Sequence, residues 1–230
     1  MRGIVSLGNA GGIQMNQRQK VSAVILISGS GSTMENLLQR AQDGTCALKC
    51  VGVISSKPGV PGIDRAARFG VPVQVVNRKD YTDAKAFSRQ VFRLVGAVKP
   101  DLVLLAGFLS FLHLPERYKG RVMNIHPSLL PKFGGKGMYG SRVHQAVLKA
   151  GETETGCTVH YVDAQYDHGP VILQKKVPAK PGDTPETLAA RVQAAEREAY
   201  PEAINLYAEK RLMQVAKSVR ILPVKAAAQA

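Results

Sequence analysis

The sequence of 230 residues contains no tryptophan, three cysteines, and only 17 acidic residues against 31 lysines and arginines. Three cysteines cannot all pair, and Cys46 and Cys50 have no second Cys/His pair at zinc spacing. We therefore expect reduced structural thiols rather than a disulfide framework or a zinc module. No apolar run is long enough to span a bilayer, and residues 1–20 lack the apolar core of a secretory signal. These absences predict a cytoplasmic protein without a membrane partner.

The formal net charge of +14 is concentrated at the ends of the chain. Residues 1–20 carry three basic and no acidic residues, and residues 211–230 carry four and none, so 21–210 hold 24 basic and 17 acidic residues. We predict a flexible N-terminal extension over 1–20, one domain over 21–212 and a basic tail over 213–230. No basic run is interleaved with aromatic side chains, so the charge favours anionic small molecules, and no nucleic-acid partner is expected.

Apolar runs alternate with amphipathic stretches along the chain. The runs predicted to be strands are 21–28, 48–55, 71–76, 102–106 and 121–126. The stretches predicted to be helices are 34–40, 62–69, 82–98 and 141–150. Near-continuous apolar strands that alternate with helices are typical of parallel sheets covered on both faces. We therefore predict an α/β fold with a doubly wound, mostly parallel sheet.

The C-terminal part of the chain has a different pattern. Residues 156–162 and 170–177 predict an antiparallel strand pair. The stretch 184–210 predicts a helix that is interrupted near Pro201, because proline lacks the backbone N–H. From Arg211 onward we expect a short strand and a loose end.

The stretch 121–131 carries the strongest indication of chemistry. Side chains alternate across a strand, so Asn124 and His126 are expected on the same face of the fifth strand, at its carboxyl end. Open α/β sheets bind ligands at that edge. A neutral amide donor beside an imidazole that titrates near neutrality suits an oxyanion formed during acyl transfer. The alternative is a polar strand end whose side chains are satisfied by the backbone of the following turn.

The loop after the first strand, Ser-Gly-Ser-Gly-Ser-Thr at 28–33, indicates an anion site. A Gly/Ser loop between a strand and a helix presents backbone N–H groups and a positive helix end to a phosphate. The dinucleotide fingerprint fails because Met34 occupies the third glycine position, and the Walker lysine is absent. A mononucleotide-type phosphate is therefore favoured over NAD. The alternative is a tight turn that merely requires glycine.

Two further loops have unusual composition. Residues 107–112 are largely apolar, which predicts either core packing or a pocket for a flat aromatic ligand. Residues 134–140 contain four glycines. Such a segment is either an active-site flap or an ordinary surface connection.

Six stretches together resemble the phosphoribosylglycinamide formyltransferases, a folate-dependent family of purine biosynthesis. These stretches are 27–32, 105–108, 124–131, 156–160, 167–172 and 191–196. The Asn-x-His-Pro-Ser-Leu-Leu-Pro run is specific for folate-dependent formyl handling, and the Ser-Gly-x-Gly-Ser loop narrows the resemblance to the glycinamide ribonucleotide branch. The resemblance extends from about residue 21 to residue 212. It implies a Rossmann-like formyltransferase fold, 10-formyltetrahydrofolate as co-substrate, phosphoribosylglycinamide as formyl acceptor, and no metal.

By the same resemblance, Asn124, His126 and Asp167 are the catalytic residues, and Asp167 is expected to hold His126 charged at working pH. The residues implied to bind the substrate phosphate and ribose are Gly31, Ser32, Thr33, Gln193 and Glu196. The residues implied to bind the folate are Leu105, Phe111, Leu112, Ala164 and Gln165.

The sequence departs from the family where ligands are expected. Thr33 stands where the family usually has Asn, so backbone N–H groups are expected to carry more of the phosphate binding. Leu-Ser at 109–110 replaces a common Met-Arg pair. A folate-side arginine is therefore missing, and Lys85 and Lys132 are candidates for its role. His160 is interpreted as structural or as a neighbour of the catalytic set, with the structural role favoured.

Other functions remain as alternatives. Hydrolysis of 10-formyltetrahydrofolate and another folate-dependent formyl transfer belong to the same class. Hydrolases of this kind usually carry an extra N-terminal domain, and initiator-tRNA formylation usually comes with an added C-terminal one; neither is expected from the short ends of this sequence. A basic RNA-binding module would leave Asn124, His126 and Asp167 unexplained. The sequence is compatible with a monomer or a homodimer that acts on small-molecule substrates.

Overall fold

The computed structural model describes residues 19–216 and 218–224. The predicted N-terminal extension lies almost entirely outside these residues, as does the end of the basic tail, so both remain predictions. The strands of the main sheet are β1 (Val21–Ile27), β2 (Leu48–Ser55), β3 (Val73–Val75), β4 (Leu102–Leu105), β5 (Val122–His126), β6 (Glu154–Tyr161) and β7 (Val171–Pro178). The α-helices are α1 (Ser32–Gln42), α2 (Pro61–Arg68), α3 (Ala84–Val98), α4 (Ser141–Lys149) and α5 (Pro185–Ala208).

The strands form a seven-stranded sheet in the order β3-β2-β1-β4-β5-β6-β7. The first five of these are parallel, whereas β6 pairs antiparallel with both β5 and β7. The predicted doubly wound sheet with an antiparallel C-terminal pair is therefore confirmed. The winding direction reverses between β1 and β4, and at such a switch point the loops after the two strands separate and leave a crevice for ligands.

Apolar residues cover both faces of the sheet. On one face, α3 packs Phe87, Val91 and Val95 against β1 and β4 residues that include Val24 and Leu105. On the other face, α1 and α5 pack against the opposite side chains of the same strands. Within the described ranges, no helix is long and apolar enough to cross a membrane.

The predicted interruption of the last long helix is wrong, because α5 continues through Pro201. A proline inside a helix leaves the carbonyl four residues earlier without its N–H partner. In this helix that carbonyl belongs to Arg197, and the side chain of Asn36 donates a hydrogen bond to it at 3.1 Å. The lost backbone bond is thus replaced by a side chain of α1, and the helix does not break.

The buried Tyr200 also fixes the position of α5. Its hydroxyl lies 3.1 Å from the carbonyl oxygen of Leu105 and 3.0 Å from that of Met123. Because a carbonyl only accepts, the single hydroxyl proton is shared between the two oxygens. The helix is therefore attached to the last residue of β4 and to the second residue of β5.

The C-terminal segment differs from the single short strand that was expected. It forms a hairpin of two strands, β8 (Leu212–Val215) and β9 (Ser218–Ile221). Leu212 and Val219 pack against the core. The alternation of apolar residues in this segment is short, which is why its second strand was not recognised from sequence.

Candidate active site

The three predicted catalytic side chains lie together at the carboxyl end of β5. Asn124 and His126 belong to the strand, and Asp167 reaches them from the loop between β6 and β7. Oδ2 of Asp167 lies 3.4 Å from Nδ1 of His126, and Oδ1 lies 3.4 Å from Nδ2 of Asn124. His126 is only 4% exposed. A buried imidazole beside a carboxylate and an amide is an arrangement that can move protons out of contact with bulk water.

The antiparallel neighbour β6 supports this strand end. Thr158 lies opposite His126 in the register. Its hydroxyl donates to the carbonyl oxygen of Ser128 at 2.7 Å and accepts from the N–H of Leu130 at 3.0 Å. The turn after β5 is thus held by a side chain of the next strand, which fixes where His126 points.

His160, opposite Asn124 on β6, contacts the catalytic set directly. Its Nδ1 lies 2.8 Å from the carbonyl oxygen of Tyr161, so Nδ1 carries a proton. In the neutral ring, Nε2 then accepts from the Asn124 amide nitrogen, which lies 3.1 Å away. The amide nitrogen of Asn124 therefore faces His160 and Asp167, and its oxygen points to the other side. Of the two interpretations of His160, this contact supports the neighbour of the predicted catalytic set, because His160 orients the Asn124 side chain.

The expectation that Asp167 holds His126 charged needs correction. Burial lowers the pKa of His126 below its ordinary value, and this outweighs the raising effects of Asp167 and of the carbonyl of Phe133. For Asp167, burial raises the pKa, but the lowering effects of the nearby His160 and His126 rings and of the Gly135 N–H together leave it below the ordinary value. The resting site therefore favours an ionised Asp167 beside a neutral His126.

An apolar cleft, partly open to solvent, lies beside Asn124 and Asp167. Four of the five predicted folate residues line it, namely Leu105, Phe111, Leu112 and Gln165, whereas Ala164 does not. The cleft is also lined by Phe108 and Ser110 of the 107–112 loop and by Tyr166, whereas the sequence did not indicate His160, Val162 and Asp163. The apolar loop at 107–112 contributes to core packing through Phe108, which packs on Phe87, while Phe111 lines the cleft; its binding of a flat ligand remains a prediction.

Lys85 and Lys132 were predicted as candidates for the residue that binds the anionic end of a folate, in place of the missing arginine. Lys132 is engaged elsewhere, because its Nζ pairs with Glu152 at 2.8 Å. Arg78 lies near the cleft. Its guanidinium lies 5.6 Å from the ring centre of Phe87, and its charge acts on the cleft residue Tyr166.

The loop after β1 and the start of α1 form the second part of the candidate site at the carboxyl edge of the sheet. The helix begins at Ser32, two residues earlier than predicted, so the unpaired N–H groups of its first turn include those of Ser32 and Thr33. Gly31 has φ +75°, and a Cβ there would lie 2.7 Å from the Cα of Gly62. The turn itself therefore requires glycine at Gly31, and the anion site remains a prediction.

A small polar pocket opens at this helix start. It is lined by Ser32, Thr33, Asn36, Gln193, Glu196 and Arg197. The pocket unites all the predicted phosphate and ribose residues except Gly31, which precedes Ser32 directly. Burial raises the pKa of Glu196 to about 7. Arg197 was missed, although its position four residues after Gln193 on α5 places both on one helix face.

Two observations concern a possible metal site and a second cleft elsewhere in the molecule. Among the described residues, no group of three or more His, Cys, Asp or Glu side chains has an arrangement that could hold a metal ion; metal-free chemistry remains a prediction. A larger cleft of about 930 Å³ includes Val21 and Asp101, which lie at the amino ends of β1 and β4. It is therefore at the edge of the sheet opposite to the catalytic side chains.

Known proteins are similar to this chain in sequence and architecture. The formyl transferase family matches residues 21–204. A phosphoribosylglycinamide formyltransferase of Escherichia coli K12 is 35% identical over 194 residues, which are 84% of this chain and 89% of that protein. The solved structure of glycinamide ribonucleotide transformylase 1 from Symbiobacterium toebii has a TM-score of 0.83 and 37% identity, and the match covers 94% of this chain and all of that one.

A longer relative is similar at the level of one region. The trifunctional purine biosynthetic protein adenosine-3 of Bos taurus is 42% identical over 194 residues, or 84% of this chain, but the match spans only 19% of that protein. Together with the fold and the strand-end residues, these similarities confirm the resemblance inferred from sequence. The chain belongs to the formyl transferase family, and within it to the phosphoribosylglycinamide formyltransferases.

Proposed function

We propose that this protein transfers the formyl group of 10-formyltetrahydrofolate to the amine of phosphoribosylglycinamide. The observation that carries the proposal is the position of Asn124, His126 and Asp167 on the same sheet edge as two unlike pockets. The apolar cleft suits the flat pterin of a folate, and it includes Asn124 and Asp167 among its walls. The polar pocket at the start of α1 suits a phosphate and a ribose.

The proposed reaction needs no covalent intermediate with the protein. The substrate amine nitrogen forms a bond to the formyl carbon, and the formyl oxygen becomes negatively charged in a tetrahedral intermediate. The hydrogen bond from the amide nitrogen of Asn124 to Asp167 is long, at 3.4 Å. Asn124 gives up this bond and donates the hydrogen to the negatively charged oxygen instead. When the intermediate collapses, the bond from the formyl carbon to N10 of the folate breaks. The amine nitrogen has then lost one proton, and N10 has gained one.

His126 and Asp167 are proposed to carry that proton. Because the resting imidazole is neutral and its Nε2 is bonded to the Phe133 carbonyl at 2.8 Å, Nδ1 is the nitrogen that can accept the proton of the attacking amine. Asp167, 3.4 Å away, stabilises the imidazolium that results. His126 then returns the proton to N10 as the intermediate collapses.

On the substrate side, the N–H groups of Ser32 and Thr33 are proposed to bind the phosphate, with Gly31 shaping the loop. Glu196 is proposed to accept hydrogen bonds from both ribose hydroxyls. The cation of Arg78 is proposed to attract the carboxylates of the folate glutamate, since it lies near Tyr166 at the cleft. The proposed enzyme is a single domain over 21–212 that acts on small molecules in the cytoplasm.

The experiment follows the absorbance change of folate deformylation with and without phosphoribosylglycinamide. We expect turnover that depends on the nucleotide and yields formylated product in equal amount. Turnover that proceeds equally well without the nucleotide would instead identify a hydrolase. No deformylation under either condition would refute the proposal as a whole.

A further inference from the structure

The glycine-rich segment meets the catalytic set through its backbone alone. The carbonyl oxygen of Phe133 lies 2.8 Å from Nε2 of His126. The N–H of Gly135 donates to Oδ2 of Asp167 at 2.9 Å. Residues 133–135 therefore bind both members of the proton-carrying pair, and we call these three residues the backbone clamp.

The two contacts of the backbone clamp have a defined chemical effect. A carbonyl oxygen can only accept, so it fixes a proton on Nε2 of His126 and leaves Nδ1 as the exchanging nitrogen. The same Oδ2 of Asp167 that receives the Gly135 N–H faces that Nδ1 at 3.4 Å. The ring and the carboxylate are thus oriented toward each other by one short piece of main chain.

The local geometry is strained at each contact point. Phe133 has φ +56° and Asp167 has φ +52°, both in the left-handed region that side chains other than glycine rarely adopt. Gly135 has φ +97°. Strained residues of this kind persist only where surrounding contacts hold them, and they cluster at functional sites.

The middle residue of the backbone clamp has no space for a side chain. A Cβ at Gly134 would overlap Cδ2 of Leu130 and would lie 3.2 Å from Cβ of Asp167. The φ of Gly134 is not positive, so alanine is permitted by its backbone and is excluded only by these neighbours. An alanine at this position therefore requires Leu130 to move and brings its Cβ close to Asp167.

We propose that the backbone clamp positions His126 and Asp167 for proton transfer, and that Gly134 is a positioning residue because this course of the chain needs the space that a Cβ would fill. The inference rests on the proposed formyl transfer. It assigns a role to the glycine-rich segment beyond closing over bound ligands, since its main chain sets the proton-bearing nitrogen of His126.

The test is the variant Gly134→Ala, compared with Lys136→Ala as a matched control in the same segment. Lys136 is exposed, and its side chain takes no part in either backbone contact. We expect Gly134→Ala to lower kcat by ~10- to 100-fold with little change in the KM for the nucleotide, because small misplacement of reacting groups is costly. The pH profile of kcat should shift to lower pH, since the Phe133 carbonyl raises the pKa of His126.

A second variant and a second measurement separate positioning from loss of folding. Leu130→Val removes the δ-carbon that the new Cβ would meet, so Gly134→Ala/Leu130→Val should regain part of the lost kcat. Nitrogen-15 NMR of His126 without substrates should show an Nε2-protonated ring in the unaltered protein and a changed tautomer balance in Gly134→Ala.

The outcomes distinguish the inference from the function on which it rests. An unaltered protein that does not transfer formyl groups contradicts the proposed function, whereas the NMR comparison still tests the backbone clamp. Active protein in which Gly134→Ala matches Lys136→Ala in kcat, pH profile and His126 signals overturns the inference. Loss of kcat that Leu130→Val does not relieve, with an unchanged His126 tautomer, overturns it equally.

Discussion

The catalytic end and the nucleotide end of the proposed site hold their ligands in different ways. Around His126, the groups are buried, and side chains from β5, β6 and the β6–β7 loop contact one another within 3.7 Å. At the start of α1, the pocket offers unpaired backbone N–H groups together with the charged side chains of Glu196 and Arg197. The difference teaches that proton transfer is organised before ligands arrive, whereas phosphate binding uses groups that the helix provides at no structural cost.

The largest effect is expected from variants that change the catalytic end alone. His126→Ala and Asp167→Asn should each lower kcat by ~10²–10³-fold, because each removes a group that acts on the proton in the transition state. Nucleotide binding measured by calorimetry should be retained, since the polar pocket does not include either residue. Asp43→Asn is the matched control, because Asp43 is exposed at the C-terminal end of α1 and lines neither pocket. Near-normal kcat in either catalytic variant would remove that residue from the mechanism.

The next effect breaks the nucleotide end. Glu196→Gln should raise the KM for the nucleotide by on the order of tenfold, because a charged acceptor for the ribose hydroxyls is lost. In the unaltered protein the pKa of Glu196 is raised to about 7, so the carboxylate is lost as pH falls through that value. The KM for the nucleotide should therefore rise below about pH 7 in the unaltered protein and stay flat in Glu196→Gln. A parallel pH dependence in both proteins would contradict this assignment.

A weaker effect is expected when a positive charge is removed from the nucleotide end. Arg197→Gln should raise the KM for the nucleotide by about two- to fivefold at low salt, because an exposed cation contributes little and is screened. The difference from the unaltered protein should shrink as salt is added. Arg93→Gln on the exposed side of α3 is the control and should leave the KM unchanged. A salt-independent difference would show that Arg197 acts through packing.

The smallest effect concerns the joint between α1 and α5. Asn36→Ala should lower the free energy of unfolding by about 1 kcal/mol, because the carbonyl of Arg197 loses the donor that replaces the missing Pro201 N–H. In a Pro201→Ala background the helix supplies its own N–H, so the same change should cost less. Urea unfolding of the four proteins measures this difference. Equal costs in both backgrounds would contradict the explanation of the unbroken helix.

Much of this organisation was accessible from sequence because it is local. Apolar runs marked the buried parallel strands, and the alternation rule placed Asn124 and His126 on one side of a strand end. The Gly/Ser loop marked the start of α1. These features depend on residues that are adjacent in the chain, and the structure agrees with them to within two or three residues at most boundaries.

What sequence did not indicate depends on contacts between distant parts of the chain. The continuity of α5 depends on Asn36, which is 161 residues away from Arg197 along the chain. The contacts of Phe133 and Gly135 with the catalytic pair are made by main-chain atoms, which every residue has, so no residue pattern marks them. The lowered pKa of His126 follows from burial, whose extent is set only once the loops have packed.

The shared hydroxyl of Tyr200 has a consequence for the reaction. Tyr200 follows Glu196 by four residues on α5, so the nucleotide-binding face of the helix and its attachment to β4 and β5 are one rigid piece. In the proposed reaction, the distance from the sugar of one ligand to the reacting carbon of the other is therefore set beneath the sheet edge, by an internal phenol that lines neither pocket. Alignment of the two reactants is in this sense a property of the protein interior.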